Sequence, residues 1–310
     1  MIYFPNDSLD PAYNQAFEEC AFELDAREDV LLIWRNRPAV VCGRYQNLFQ
    51  EVHVPTAMAR GVALVRRTTG GGCVYHDPGN VNYALITDYR DGMGYDAVLD
   101  RVVSVLRAVG VPAERSGSSA LAVAGRKVSG SAQRISKGRL LHHGTMLFSA
   151  DLTALRALAN GHSPCYRSKA VVSAPAPVTN IGEHLPKDRD VCDFVQDLAR
   201  AFAPERTERA DFTGRAEALA EEKYRAWRWT FANSPKFTFE RACAPWGLPM
   251  QIEYAAEKAV MRDVRISGER GPALSAALEG ARLELGELRE RVGSALSDQE
   301  RTEQFIGCLL

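Results

Sequence analysis

The chain has 310 residues, 46% of them hydrophobic and 25% charged, with a formal net charge of −1 at pH 7. That is enough chain for one large globular domain or, better, two. The near-neutral balance gives no support for a nucleic-acid-binding surface, no apolar run approaches the ~18 residues of a membrane span, and the opening Met-Ile-Tyr-Phe-Pro-Asn-Asp lacks the basic and apolar regions of a signal peptide.

Asp10-Pro11 reads as a helix start, with Asp as N-cap and Pro at the first helical position. Tyr13, Ala16, Phe17, Cys20, Ala21 and Leu24 then recur at helical spacing, which makes Cys20 a core residue. Val30–Trp34 and Ala39–Cys42 are short strands separated by Asn36-Arg37-Pro38. Val62–Arg66 leads into Arg66-Arg67-Thr68-Thr69-Gly70-Gly71-Gly72-Cys73-Val74-Tyr75-His76-Asp77-Pro78-Gly79-Asn80, and a strand-like stretch from Asn80 to Thr87 leads out, so an antiparallel sheet with a ligand loop at its rim is predicted. A helix spans Tyr95 to Val109 and ends at Gly110. Ala120–Gly130 is a hairpin turning at Ala124-Gly125, Leu140–Ser149 a strand, and residues 151–158 a short capped helix.

Residues 160–180, rich in Ser, Pro, Ala and Asn, are predicted as loop. Asp188–Phe202 and Arg215–Thr230 are predicted helical, and Ala232-Asn233-Ser234-Pro235 is the linker and a candidate hinge. Beyond it, strands near 237–242, 249–256 and 259–267 and helices from Pro272 onward make a small α+β unit.

Three adjacent glycines let a backbone approach a ligand with its N–H groups exposed, and the preceding arginines supply charge for a phosphate or carboxylate. A tight structural turn is the bland alternative. The loop is neither a Walker A motif, since no Gly-Lys-Ser/Thr follows, nor a dinucleotide fingerprint, since the glycines are contiguous and a strand follows. Lys127, beside Ser129-Gly130-Ser131 in a stretch of alanines and valines, needs an anionic partner if it is held there. His142 and His143 are neighbours on a strand and point to opposite faces, so they do not ligate a metal together. The seven cysteines are scattered, with no CxxC pair, which argues against a disulfide framework or zinc site and suits a reducing cytoplasm.

Six segments carry a family resemblance: Gly43-Arg44-x-Gln46-Asn47, the glycine loop through Asn80, Arg126-Lys127-Val128-Ser129-Gly130-Ser131-Ala132, His142-His143-Gly144-Thr145, Ser168-Lys169-Ala170, and Trp227-x-Trp229 with Pro235-Lys236-Phe237. In this order and spacing the chain resembles the lipoate–protein ligases along nearly its whole length. The resemblance implies a catalytic domain at 1–235 of mixed, largely antiparallel sheets flanked by helices, an α/β (α+β) fold related to biotin protein ligases, and a C-terminal accessory domain at 236–310. It implies ATP-dependent activation of lipoate or octanoate, with Mg²⁺, to an acyl-adenylate. The acyl group then moves to a lysine of a lipoyl domain, on the E2 subunit of a 2-oxoacid dehydrogenase or the H protein of glycine cleavage. A cytoplasmic, monomeric enzyme is implied.

By the same match Lys127 is the catalytic residue. Arg67, Gly72, Cys73, Val74, Tyr75, Asn80, Thr145 and Lys127 contact the nucleotide. Arg67, Thr69, Gly70, Gly71, Gly72, His76 and His143 line the acyl site. A lysine ammonium suits charge developing on both carbonyl and phosphate oxygens. No carboxylate base stands out in the motifs, so positioning is expected to do most of the work in acyl transfer.

Two segments depart from the family pattern. Gly117-Ser118-Ser119-Ala120-Leu121 lacks an Asn-Asp pair, and Ser173-Ala174-Pro175-Ala176 lacks an arginine-bearing segment. They keep two alternatives open: an ATP-independent acyltransferase of the same fold, for which Cys165 is a candidate acyl carrier, and a non-catalytic acyl-adenylate-binding protein.

Overall fold

A computed structural model of the protein describes residues 1–24, 28–90, 93–158 and 163–310, Leu155 by its backbone only. The start of the predicted 160–180 loop, residues 160–162, lies outside the described residues. The chain packs as two compact units. Met1–Arg44, Ala63–Arg156 and Ala174–Arg225 form the first; Tyr45–Val62, Ala157–Ser173 and Ala226–Leu310 form the second. The second unit thus begins, in its C-terminal part, at Ala226, and it also recruits two earlier excursions of the chain.

In the first unit, β1 (Ile2–Pro5), β2 (Val30–Arg35), β6 (Asn80–Asp88), β7 (Glu114–Ser116), β8 (Ala120–Val123), β9 (Arg126–Ser136), β10 (Arg139–Leu147) and a two-residue strand Arg206–Thr207 form one sheet. From the Arg206–Thr207 edge its order is β1-β2-β6-β10-β9-β8-β7. Both pairings of β1 are parallel and the rest are antiparallel. Strand alternation sends Val81, Tyr83 and Leu85 of β6 to one face of the sheet. There they join a core with Val98, Leu99, Val102 and Leu106 of helix Tyr95–Ala108 and with Phe194 and Leu198 of helix Val191–Ala201. The other face of β6 carries Asn80 and Asn82, polar yet buried.

The second sheet of this unit has three strands, β3 (Ala39–Cys42), β4 (Ala63–Arg66) and β5 (Val74–His76), in the order β4-β3-β5. The flanks of the glycine loop differ from the sequence expectation here. β4 runs parallel to β3, β5 antiparallel to it, and β6 belongs to the larger sheet. A run of apolar residues identifies a strand but not the direction of its neighbour.

The helix α1 (Pro11–Phe22) starts as predicted: the Asp10 side chain accepts from the Ala12 N–H, and Phe17, Cys20 and Ala21 are buried. The Ala124-Gly125 turn also forms, with positive φ at both residues. The predicted helix over 215–230 is interrupted: an α-helix Thr213–Leu219 passes into a π-helical turn Ala220–Tyr224, and Trp227–Thr230 forms a separate turn of helix.

In the second unit, Tyr166–Ser168, Phe237–Cys243, Met250–Glu257 and Val260–Ile266 form an antiparallel sheet in that order. Helices Gly271–Leu278, Leu285–Leu296 and Gln299–Leu309 follow. Phe49, from the first excursion, packs on Phe237 with ring centroids 5.8 Å apart and on Phe231 at 5.9 Å. Gln46 donates from Nε2 to Ser173 Oγ at 3.1 Å, and the Asn47 side chain caps the short helix Leu48–Glu51. These two motif residues thus serve the second unit. No helix among the described residues is long and apolar enough to cross a membrane.

Candidate active site

The glycine loop is tied down from inside. Residues Arg66 to Thr69 are buried, while Gly70 to Val74 are partly or fully open to solvent. Arg66 donates from Nη1 to the carbonyls of Gly43, at 2.8 Å, and Arg44. Arg67 donates from Nε to Thr69 Oγ1 at 3.0 Å, from Nη1 to the Val41 carbonyl at 3.0 Å, and from Nη2 to the carbonyls of Gly70 and Gly72 at 2.5 and 2.8 Å. Burial pulls both guanidinium pKa values below the ordinary arginine value. Most of the Arg67 donors are therefore spent on the loop itself, turning its carbonyls inward. Among the described residues no acceptor meets the N–H groups of Gly70, Gly71 or Gly72. A loop whose carbonyls are gathered by a buried cation and whose N–H groups are left over is an anion cradle.

Two close approaches explain the glycines that matter most. A Cβ on Gly43 would stand 2.1 Å from the Gly71 carbonyl oxygen, so the loop can cross there only over a bare backbone. Gly71 itself has φ of 85°, a conformation in which a side chain is strained.

The larger sheet supplies the other wall. His143 of β10 lies with Nε2 2.7 Å from Thr69 Oγ1 and Nδ1 2.6 Å from Glu18 Oε1 of α1. His142 faces the opposite side, with Nε2 3.2 Å from the Tyr83 hydroxyl and Nδ1 2.8 Å from Gln133 Nε2. The neighbouring histidines thus divide between the two faces of the sheet, as strand geometry requires, and of the two His143 meets the glycine loop. Thr145 Oγ1 accepts from the Gly130 N–H at 3.3 Å. Glu18 is absent from the motif-based site. The signal available in the sequence is a pair of acids, Glu18-Glu19, within a helix that is buried on nearly every side.

Lys127 lies near the start of β9 with its backbone held on both sides: its N–H donates to the Pro177 carbonyl at 2.8 Å and its carbonyl accepts from the Thr179 N–H at 3.1 Å. Its side chain lies forward along the strand, so that a Cβ on Gly130 would stand 2.9 Å from Nζ. Two residues on, Ala132 faces the glycine loop: a Cβ on Gly71 would stand 3.9 Å from the Ala132 Cβ. Two strand residues span roughly 7 Å. The ammonium and the cradle are thus neighbours on one face. Burial lowers the Lys127 pKa, and among the described residues no carboxylate pairs with it. The anionic partner its position calls for does not come from these residues.

His76 and Asn80 add unfilled polar positions. Asn36 donates from Nδ2 to His76 Nδ1 at 2.8 Å, its own Oδ1 being taken by Asn14 Nδ2, so the His76 proton sits on Nε2. Among the described residues, that nitrogen and Asn80 Oδ1 are buried without a partner. Burial, with the nearby Arg67 charge, pushes the His76 pKa down to about 3, so it stays a neutral donor at physiological pH. Tyr75 is buried at β5 beside a cleft of about 480 Å³ lined also by Arg35, Asp77 and Asp151; Lys127 does not line it. Among the described residues no group of three or more His, Cys, Asp or Glu is placed to hold a metal ion.

The family described as the lipoyl protein ligase A/B catalytic domain matches residues 10–203, more than half of the chain. The chain belongs to the lipoate–protein ligase family. Among curated relatives, lipoate–protein ligase 1 of Staphylococcus aureus is 31% identical over 85% of this chain and 83% of its own length. Lipoate–protein ligase LplJ of Bacillus subtilis is 31% identical over 87% and 85%. Solved structures of this ligase family share the fold. P. falciparum LipL1 in complex with lipoate covers 100% of this chain and 99% of its own at a TM-score of 0.63, with 17% identity. Lipoate–protein ligase A bound with ATP covers 74% and 97% at a TM-score of 0.60, with 24% identity.

Proposed function

We propose that the protein is an ATP-dependent lipoate–protein ligase acting on a lipoyl domain. The observation that carries the reading is the pairing of a loop with unclaimed glycine N–H groups and a half-buried lysine with no acid partner among the described residues, on one face of the sheet. An acyl-adenylate brings one phosphate charge to the first and two kinds of oxygen to the second. In the first step the lipoate carboxylate attacks the α-phosphorus of ATP and pyrophosphate leaves. In the second the neutral amine of the partner's lysine attacks the acyl carbon and AMP leaves. Lys127 would stabilise charge at phosphorus and then at carbon, and the glycine N–H groups would hold the phosphate. In this reading the buried Nε2–H of His76 and Oδ1 of Asn80, without partners among the described residues, would hydrogen-bond the bound ligand. Arg67, in this reading, shapes the cradle from behind.

The relatives' names support the choice of lipoate, and the same match suggests E2 subunits and the H protein as acceptors. One chain carries the whole constellation, in keeping with a monomer, and the seven free cysteines suit a reducing cytoplasm. Residues 236–310 are read as a C-terminal accessory domain, with Ala232-Asn233-Ser234-Pro235 as its candidate hinge.

The test is one assay. Purified protein, apo lipoyl domain and lipoic acid are incubated with and without ATP and Mg²⁺, and the acceptor's mass is read. Acylation that depends on ATP is expected. Acylation only from a preformed thioester or adenylate would replace the ligase with a transferase, and acylation under no condition would leave a binding protein.

A further inference from the structure

Glu18, His143, Thr69 and Arg67 form a single chain of hydrogen bonds from α1 to the glycine loop, and its directions can be worked out. Arg67 Nε–H only donates, so Thr69 Oγ1 accepts from it. A carboxylate oxygen accepts, so the neutral imidazole's proton is assigned to Nδ1, which donates to Glu18 Oε1 at 2.6 Å. Nε2 then keeps its lone pair and accepts from the Thr69 hydroxyl at 2.7 Å. Glu18 is 2% exposed, and an ionised carboxylate so deep needs a compensating charge. The permanently charged Arg67 guanidinium stands at the far end of the chain, and Thr69 and His143 link it to the Glu18 carboxyl.

We propose that Glu18 is a positioning residue for adenylate formation: by fixing the His143 tautomer it fixes the Thr69 hydroxyl, and through Arg67 the outward set of the glycine N–H groups. The proposal rests on the ligase reading for its reaction but not for its geometry. Glu18 reaches the loop through His143, at a separation of 125 residues in the chain. Where a carboxylate fixes the tautomer of a metal-ligating histidine, its removal costs about 10–100-fold in affinity or activity, and a loss of the same order is expected for this metal-free counterpart.

The experiment uses the full chain with ¹⁵N-labelled histidine, at neutral pH and without substrate. The His143 ring should show a protonated Nδ1 and an unprotonated Nε2. In Glu18→Gln, whose amide can donate as well as accept, protonated Nε2 should become populated. Lipoate-dependent pyrophosphate exchange should then fall about 10–100-fold in kcat, with a smaller change in KM for lipoate. Thr69→Val, which removes the hydroxyl but keeps the bulk, should lose exchange. A wild-type His143 protonated on Nε2, or a Glu18→Gln protein with wild-type kcat, overturns the proposal. The wild-type spectrum is decisive even if Glu18→Gln fails to fold. A wild-type protein with the expected tautomer but no adenylation would count against the ligase reading alone.

Discussion

The Gly71 carbonyl oxygen passes 2.1 Å from the point where a side chain on Gly43 would begin. The two residues belong to motifs well apart in the chain, and the bare backbone of one is needed because of the other. Gly43→Ala forces one backbone to move, and overpacking of this kind costs about 1–3 kcal/mol. Urea denaturation should show that loss, and lipoate-dependent pyrophosphate exchange should fall further than the loss of folded protein explains.

Lys127→Met should abolish exchange while making the fold more stable at pH 7. The sign follows from linkage. Burial lowers the lysine's folded pKa below its unfolded value of 10.5, so the unfolded chain binds the proton more tightly. The cost of holding the charge is fully present below the folded pKa and fades as pH rises through it toward 10.5. The stability advantage of the variant, measured by thermal melting, should shrink over that window. Retained exchange in Lys127→Met would show that the charge comes from elsewhere.

Gly130→Ala separates position from charge. Its new Cβ would meet the Lys127 Nζ at 2.9 Å, the end of a flexible side chain that can swing away. Melting temperature should therefore change little. A displacement of about 1 Å in a reacting group costs up to about 100-fold in rate, and single-turnover adenylation should report a loss of that order.

His76 and His142 are both held near a pKa of about 3 by burial, against 6.5 in the unfolded chain. Between those values the unfolded chain binds more protons, so stability rises with pH and falls on acidification. Each histidine contributes a slope of about 1.4 kcal/mol per pH unit there. Urea midpoints at about pH 7 and about pH 4.5, which straddle the upper part of that window, should differ less for His76→Asn than for the wild type.

Cys165→Ser should leave ATP-dependent acylation unchanged. Cys165 serves the second unit's sheet, where its carbonyl accepts from the Glu240 N–H at 2.9 Å. A stalled reaction in this variant would revive a thioester route.

Features that depend on a few adjacent residues are legible in the sequence. The Asp10 cap, the Ala124-Gly125 turn and the opposite facing of His142 and His143 are of this kind, and each forms as local chemistry dictates. The glycine loop reads as an anion site for the same reason. Its frame does not. A guanidinium in sequence carries no mark of which carbonyls will surround it, so Arg67 reads as a ligand group. Glu18 carries no mark either, since its partner lies 125 residues away. The parallel direction of β4 and the recruitment of residues 45–62 and 157–173 into the second unit are likewise products of distant pairing, which periodicity does not encode.

Phe49 has a consequence for how the protein is made. The ring it packs on, Phe237, comes far later in the chain, well over half its length away. At ribosomal rates of about 5–20 residues per second, Phe49 waits roughly 10–40 s for that partner to be synthesised. During that interval the Phe49 ring lacks its final cover. The emerging chain therefore carries an uncovered aromatic ring beside the Gly43 motif until its C-terminal third arrives, and chaperone contact is expected at that segment.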